Sequence, residues 1–68
     1  MNIQELAKII KKDLKKLGVI SSVRIDNRYG AIQVTIKEKI SEITNVELID
    51  KINKYESNDC VDYVLVYF

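Results

Sequence analysis

The chain offers few side chains that could exchange protons or attack a substrate. It has no histidine and a single cysteine, Cys60. An internal disulfide, a Cys/His zinc site and the most common proton-transferring side chain are therefore all excluded. Cys60 and the serines lack an evident activating base, and the cysteine is most simply a small core residue. These residues predict a protein that is not an enzyme and has no catalytic residue.

Two other features could in principle bind an ion or a phosphate group. Asp59 and Asp62 could hold a hard cation, but acids beside a strand more often serve as solvated residues that discourage aggregation. Gly18 and Gly30 are the only glycines, and their separation rules out a glycine-rich phosphate loop. We therefore expect neither a metal nor a cofactor.

A lysine-rich N-terminal segment provides the first surface that could bind a partner. Its apolar residues recur at steps of three and four, which predicts a helix over residues 2–17 with one apolar side. The opposite side is called the lysine face and consists of Lys8, Lys11, Lys12, Lys15 and Lys16. The lysine face could bind nucleic-acid phosphate or an acidic protein, or it could simply keep a small protein soluble.

The C-terminal segment provides the second surface. Residues 61–68 are rich in β-branched and aromatic residues and predict a strand that is apolar on both faces. Only one face can lie beneath the helices, so an apolar patch is exposed in either orientation. One orientation buries Val64, Val66 and Phe68, and the other exposes them. In the first, the open face of the sheet carries Tyr63, Leu65 and Tyr67 with Arg24, Gln33 and Thr35.

This second surface favours a protein partner. Tyrosine and arginine are enriched at interface hot spots, and an edge strand can pair with a strand of another chain. The predicted interface is Tyr63, Leu65, Tyr67 and Arg24, with a homodimer through the last strand as one form of it. Aromatic rings near arginine also occur on single-strand nucleic-acid platforms. The RNA-recognition signature is absent, however, and the strand carries Asp62.

Local signals define the elements that position these surfaces. Asn2 is a candidate N-cap of the first helix, and Gly18 is a candidate helix terminator. Alternating residues predict strands over 21–28 and 31–37, joined by a turn at 27–30. A capping pattern at Thr44 begins a second helix, with Leu48, Ile49, Ile52 and Tyr55 on its apolar side.

These elements predict one α+β domain over residues 1–68, in the order α-β-β-α-β. We expect an α/β two-layer arrangement in which both helices cover one face of a three-stranded sheet. The favoured strand order is 2-1-3, with the third strand antiparallel to the first. The alternative places the third strand beside the second and parallel to it. Without a long apolar segment we expect no membrane partner and a cytoplasmic location.

Charge divides the chain into a basic and an acidic part. Residues 1–20 hold five lysines against two acids, whereas residues 38–68 hold three lysines against seven acids. The net charge of +1 is therefore the sum of a positively charged N-terminal part and a negatively charged C-terminal part.

The lysine-rich helix and the strands after it resemble a known family. Residues 7–15 read Ala-Lys-Ile-Ile-Lys-Lys-Asp-Leu-Lys, followed by Ser-Val-Arg at 22–24 and alternating residues at 31–36. Over about residues 6–37 this is similar to the large polyvalent-protein-associated domains of phages and conjugative elements. In size and layout the chain is also similar to phage-encoded inhibitors of bacterial defence, including anti-CRISPR proteins.

The resemblance implies a phage or mobile-element inhibitor or accessory protein that occupies the surface of a host protein. It agrees with the prediction from the residues, a non-enzymatic protein-binding module. Two alternatives stay open: a nucleic-acid-binding protein that uses the lysine face, and a structural homodimer subunit.

Overall fold

The computed structural model describes residues 2–26 and 28–68. The elements follow one another in the predicted α-β-β-α-β order, which confirms an α+β fold with two helices and a three-stranded sheet. They are α1 (Ile3–Lys16), β1 (Val19–Asp26), β2 (Ala31–Lys39), α2 (Asn45–Asn53), a short 3₁₀ helix (Lys54–Ser57) and β3 (Tyr63–Tyr67).

Helix α1 begins and ends at the predicted signals. The Asn2 side chain accepts a hydrogen bond from the Glu5 N–H at 2.8 Å, which satisfies a free donor of the first turn. After Lys16 the chain leaves the helix through Gly18, whose φ of 78° lies in the left-handed region that favours glycine. The apolar side of α1 is buried, with Leu6, Ile10 and Leu14 in the core.

Strands β1 and β2 form the predicted antiparallel hairpin. Pairing extends from Val19 opposite Lys39 to Asp26 opposite Ala31, with a bulge between Ile20 and Ser21. Strand β1 therefore begins two residues earlier than predicted, because the residues after Gly18 already pair with β2. The turn includes the predicted residues 28–30, while Asn27 lies outside the described residues. The inward residues of β2 are buried as expected: Ile32, Val34 and Ile36.

The favoured strand order was wrong. The observed order is β1-β2-β3, with β3 parallel to β2, as in the alternative. Helix α1 lies against β1, whereas α2 contacts β3, so each outer strand has its own helix. The start of β3 is held at the hairpin turn, where the Asp62 N–H donates to the Gly30 carbonyl at 2.8 Å. Strand β3 therefore lies at one edge of the sheet, and β1, which α1 contacts, lies at the other edge.

Helix α2 begins as predicted, since the Thr44 side chain accepts from the Glu47 N–H at 3.2 Å. Leu48 and Ile52 are fully buried, one helical turn apart. Ile49, predicted on the same apolar side, is instead exposed, because a nine-residue helix covers the core with only a narrow strip of its surface. Neither helix in the described part of the chain is long and apolar enough to cross a bilayer.

One hydrophobic cluster joins all the elements. It includes residues of both helices, of all three strands and of the segment before β3. Placement of both helices on one sheet face stays a prediction. The most deeply buried side chains are Leu6, Ile10, Leu14, Val19, Ile32, Val34, Leu48 and Ile52.

Candidate protein-binding surfaces

The structure decides which face of β3 is open. Val64 is only 4% exposed and packs in the core with the partly buried Val66. Tyr63 and Leu65 are each 36% exposed, and Tyr67 is 48% exposed. These three residues point to the opposite face, because side chains alternate along a strand. We call Tyr63, Leu65 and Tyr67 the open-face patch.

One residue of the last segment departs from the expected alternation. In the orientation that the structure adopts, Phe68 was predicted to point into the core. It is instead 56% exposed, because β3 ends at Tyr67 and the pleat no longer directs the next side chain inward.

The strand register places polar residues beside the open-face patch. Leu65 is opposite Gln33, which is itself opposite Arg24 on β1. Tyr67 is opposite Thr35 in the next row. Arg24 is exposed and lies two strands from Leu65, a distance of about 10 Å at the usual strand spacing. The predicted interface residues therefore share one face, with the arginine at its far side.

The lysine face is exposed along α1 from Lys8 to Lys16. Lys8, Lys11, Lys12, Lys15 and Lys16 are all exposed. Within residues 2–26 and 28–68, the one ion pair joins Arg28 to Asp26 at 3.8 Å, so the lysines of α1 have no acidic partner there.

A contact that the sequence did not predict occupies one side of α1. The Tyr55 hydroxyl in the 3₁₀ helix donates a hydrogen bond to the Asp13 carboxylate. Burial first, and then the hydrogen bond and the negative charge of Asp13, raise the pKa of Tyr55 to about 12. The two residues are 42 positions apart, so helical periodicity could not pair them. This bond ties α1 to the segment after α2.

The two edges of the sheet differ. Strands β1 and β3 are the outer strands, and each pairs only with β2. At β3, the Glu56 carboxylate accepts a hydrogen bond from the Val64 N–H at 2.9 Å. A side chain thus covers part of this edge, and a partner strand would have to displace it.

The other candidate residues lie against the core and in the hairpin turn. Cys60 packs against the core, as predicted for a small filler. Asp62 lies against Gly30 in the hairpin turn. Across residues 2–26 and 28–68, no group of three or more His, Cys, Asp or Glu residues is arranged to hold a metal ion.

Comparisons of the chain with protein-family models, curated proteins and solved structures find no match. The resemblance to phage domains therefore stays a prediction.

Proposed function

We propose that the chain is a protein-binding module that docks on a protein partner through its open-face patch. The observation that carries this proposal is the exposure of Tyr63, Leu65 and Tyr67 side by side on one face of β3. Contiguous apolar surface rimmed by polar residues is typical of protein interfaces. Here the rim is supplied by Gln33, Thr35 and Arg24.

The exposed area of the patch is large enough to matter for binding. Covering the exposed part of each of the three side chains would contribute on the order of 2 kcal/mol, at roughly 25 cal/mol per Å². The tyrosine hydroxyls and the Arg24 guanidinium can each form directed hydrogen bonds at the rim. Apolar area would supply the affinity, and the polar rim would supply the orientation.

Such a module acts by occupying the surface of its partner. The resemblance to phage inhibitors of bacterial defence supports this mode of action and extends the proposal to an inhibitor or accessory protein of a mobile element. Neither a cofactor nor a catalytic residue is part of the proposed mechanism.

The test compares capture of bacterial proteins by the parent chain, by Tyr67→Glu and by Tyr29→Glu. Tyr29 is an exposed tyrosine in the hairpin turn, outside the patch, and so provides a matched control. We expect Tyr67→Glu to lose a specific captured protein that both the parent and Tyr29→Glu retain. Equal capture by all three proteins would exclude the patch as the docking surface.

Light scattering of the same three proteins separates docking from self-association. A monomeric parent is expected if the patch serves a different protein. A parent dimer that Tyr67→Glu alone dissociates would instead favour the homodimer subunit.

A second candidate function, nucleic-acid binding, is favoured by the uninterrupted exposure of the lysine face. Phosphate binding by several lysines makes affinity fall steeply with salt. The test is retention of a labelled oligonucleotide by the Lys8→Glu/Lys12→Glu/Lys15→Glu variant. The control variant, Lys37→Glu/Lys51→Glu/Lys54→Glu, carries the same charge change elsewhere. If the Lys8→Glu/Lys12→Glu/Lys15→Glu variant loses retention of the oligonucleotide and the control variant keeps it, nucleic-acid binding is supported.

A further inference from the structure

A cleft of about 300 Å³ lies between α1 and the outer strand β1. Its lining is mostly apolar, with two lysines from one side of the helix. The residues that line it are Lys11, Lys15, Val19, Ile20 and Ser21.

The strand residues that line the cleft belong to the outer strand β1, where Val19, Ile20 and Ser21 are consecutive. Strand β1 pairs only with β2, so every second residue of β1 turns its N–H and C=O groups away from β2, to the unpaired edge of the sheet.

The position of the lysines agrees with this placement. Asp13 bonds to Tyr55 and so marks the side of α1 that faces the 3₁₀ helix. Lys11 and Lys15 are two residues before and after Asp13, which turns them about 200° around the helix, away from that side. Lys8 shares their side by its spacing of three from Lys11. A row of cations therefore lies on the side of α1 that lines the cleft.

Ser21 provides an independent sign of an unfilled site. Its side chain is only 7% exposed, yet its hydroxyl has no hydrogen-bond partner among the described residues. Buried hydroxyl groups in native proteins are nearly always hydrogen-bonded. Ser21 also lines the cleft, so a bound segment would bring polar groups close to it.

The other edge of the sheet lacks this combination. At β3 the Glu56 carboxylate covers a backbone donor, and the segment that contains it is acidic. In the hydrogen bonds of the described residues, no side chain does the same for the backbone of residues 19–25 in β1. The two edges therefore differ both in charge and in protection.

We propose that the β1 edge and its cleft bind an extended acidic segment of a partner protein, which adds to the sheet as a fourth strand. Backbone groups of β1 bond to the segment, while an apolar side chain of the segment enters the cleft beside α1. Carboxylates of the segment pair with Lys11, Lys15 and Lys8. This site is separate from the open-face patch, and neither depends on the other.

The test uses a defined probe, an acetylated and amidated heptapeptide of glutamates with one central valine, which places the valine and two glutamates on one face of an added strand. The control peptide has lysines in place of the glutamates. Binding is followed by the amide NMR signals of the ¹⁵N-labelled chain. We expect the acidic peptide to shift the signals of residues 19–25 and the basic peptide to leave them unchanged. Tyr67→Glu should bind the acidic peptide as the parent does, which separates this site from the proposed docking patch.

Charge reversal locates the site on the helix. Lys11→Glu/Lys15→Glu is expected to weaken binding at least about tenfold, because like charges then face each other. Lys12→Glu/Lys16→Glu changes the same helix by the same charge, with the same spacing, on the side turned away from β1. We expect it to weaken binding less than about threefold. If both variants weaken peptide binding equally, the proposal is overturned, because the peptide is then attracted by the overall positive charge of α1 and not by a site beside β1.

Methylation of the peptide nitrogens tests the added strand itself. A strand bonds through alternate residues, so N-methylation of one alternate set should abolish binding while methylation of the other set preserves it. Equal affinity of the two methylated peptides would contradict strand addition. Shifts confined to the open-face patch, tighter binding of an oligonucleotide at the same lysines, or a dimer closed through β1 would also overturn the proposal.

Discussion

The two outer strands of this sheet, β1 and β3, differ in length, in the charge around them and in how far side chains cover their unpaired edges. Strand β1 has eight residues and lies beside a row of lysines and an apolar cleft, whereas β3 has five residues and belongs to the acidic part of the chain, residues 38–68. Glu56 covers a backbone donor of β3. A sheet of three strands must expose two edges, and this one protects them unequally. The unprotected edge is also the one where charge would select a partner.

The largest expected effect on the free energy of unfolding concerns the two helices, α1 beside β1 and α2 beside β3. Ile10 of α1 and Ile52 of α2 are the same residue type and are both fully buried. We expect each change to alanine to lower the free energy of unfolding by about 2–5 kcal/mol, from lost burial and the cavity left behind. Ile10→Ala should cost more, because α1 is longer and packs along β1.

Urea denaturation of the two variants measures this difference. Val46→Ala, at an exposed position of α2, is the control and should change stability by less than about 0.5 kcal/mol. A greater loss for Ile52→Ala than for Ile10→Ala would show that the β3 side, not the β1 side, carries most of the stability.

The next largest effect on stability concerns the two glycines, which lie directly before β1 and β2. Gly18 and Gly30 have φ values of 78° and 60°, so alanine at either position should cost about 1–2 kcal/mol. A Cβ at Gly18 would lie 3.1 Å from the Ser41 Cβ and 3.3 Å from its backbone nitrogen. At Gly30 it would lie 2.8 Å from the Asp62 Oδ2, the end of a side chain.

Second-site changes distinguish the two glycines. Asp62→Ala should recover part of the stability lost in Gly30→Ala, because it removes the crowding oxygen. Ser41→Ala should not rescue Gly18→Ala, since the Cβ and the backbone nitrogen remain. Thermal unfolding of the four variants provides the comparison. Equal rescue at both sites would contradict this account.

Removal of Glu56 should make the two edges more alike. Glu56→Ala takes away the acceptor of the Val64 N–H, and we expect it to cost about 1 kcal/mol and to increase self-association. Glu56→Gln keeps an acceptor oxygen and should lose less. Glu42→Ala, an exposed acid, is the control for the charge change. Light scattering that shows no greater association of Glu56→Ala would mean that this carboxylate does not protect the edge.

Tyr55 links the two sides of the molecule and should make stability fall at alkaline pH. Its pKa is raised to about 12 from 10.0, so the folded state holds the hydroxyl proton more tightly than the unfolded state. The stabilisation is complete below pH 10 and is lost as the pH rises through about 12. Tyr55→Phe should cost about 1 kcal/mol at neutral pH and should abolish this alkaline decline. A parent and variant with parallel pH profiles would contradict the role of the Asp13 bond.

The smallest effect is expected inside the cleft. Ser21→Ala removes a buried hydroxyl without a partner among the described residues, and it should stabilise the chain by about 0.5 kcal/mol. Ser22→Ala, on the opposite face of β1, should leave stability nearly unchanged. Calorimetry of the two variants measures the difference. A destabilised Ser21→Ala would show that the hydroxyl is bonded in solution.

Several features of the fold follow from local sequence. The Asn2 and Thr44 caps, the termination at Gly18 and the buried residues of β2 were predicted from short patterns and are confirmed. Each depends on residues within a few positions of one another, so a single helix turn or one alternation suffices to reveal it.

The candidate site was predicted only in part. The sequence limited the exposed residues of the last strand to two alternate sets, and burial of Val64 chose the set with Tyr63, Leu65 and Tyr67. The Tyr55 to Asp13 bond, the Glu56 cap of β3 and the cleft beside β1 were missed. Each is formed by side chains from different elements, and no local pattern joins them.

By itself, the sequence determined the order of the elements, the faces of the hairpin strands and the opposite charges of the two halves. Only the tertiary structure decided that β2 is central and that β3 lies parallel to it. Both hairpin strands are apolar on one face, so their patterns favour neither as the neighbour of the last strand. Packing of α1 on β1 and the bond from Asp62 to Gly30 select β2, and that selection leaves the β1 edge free beside its lysines.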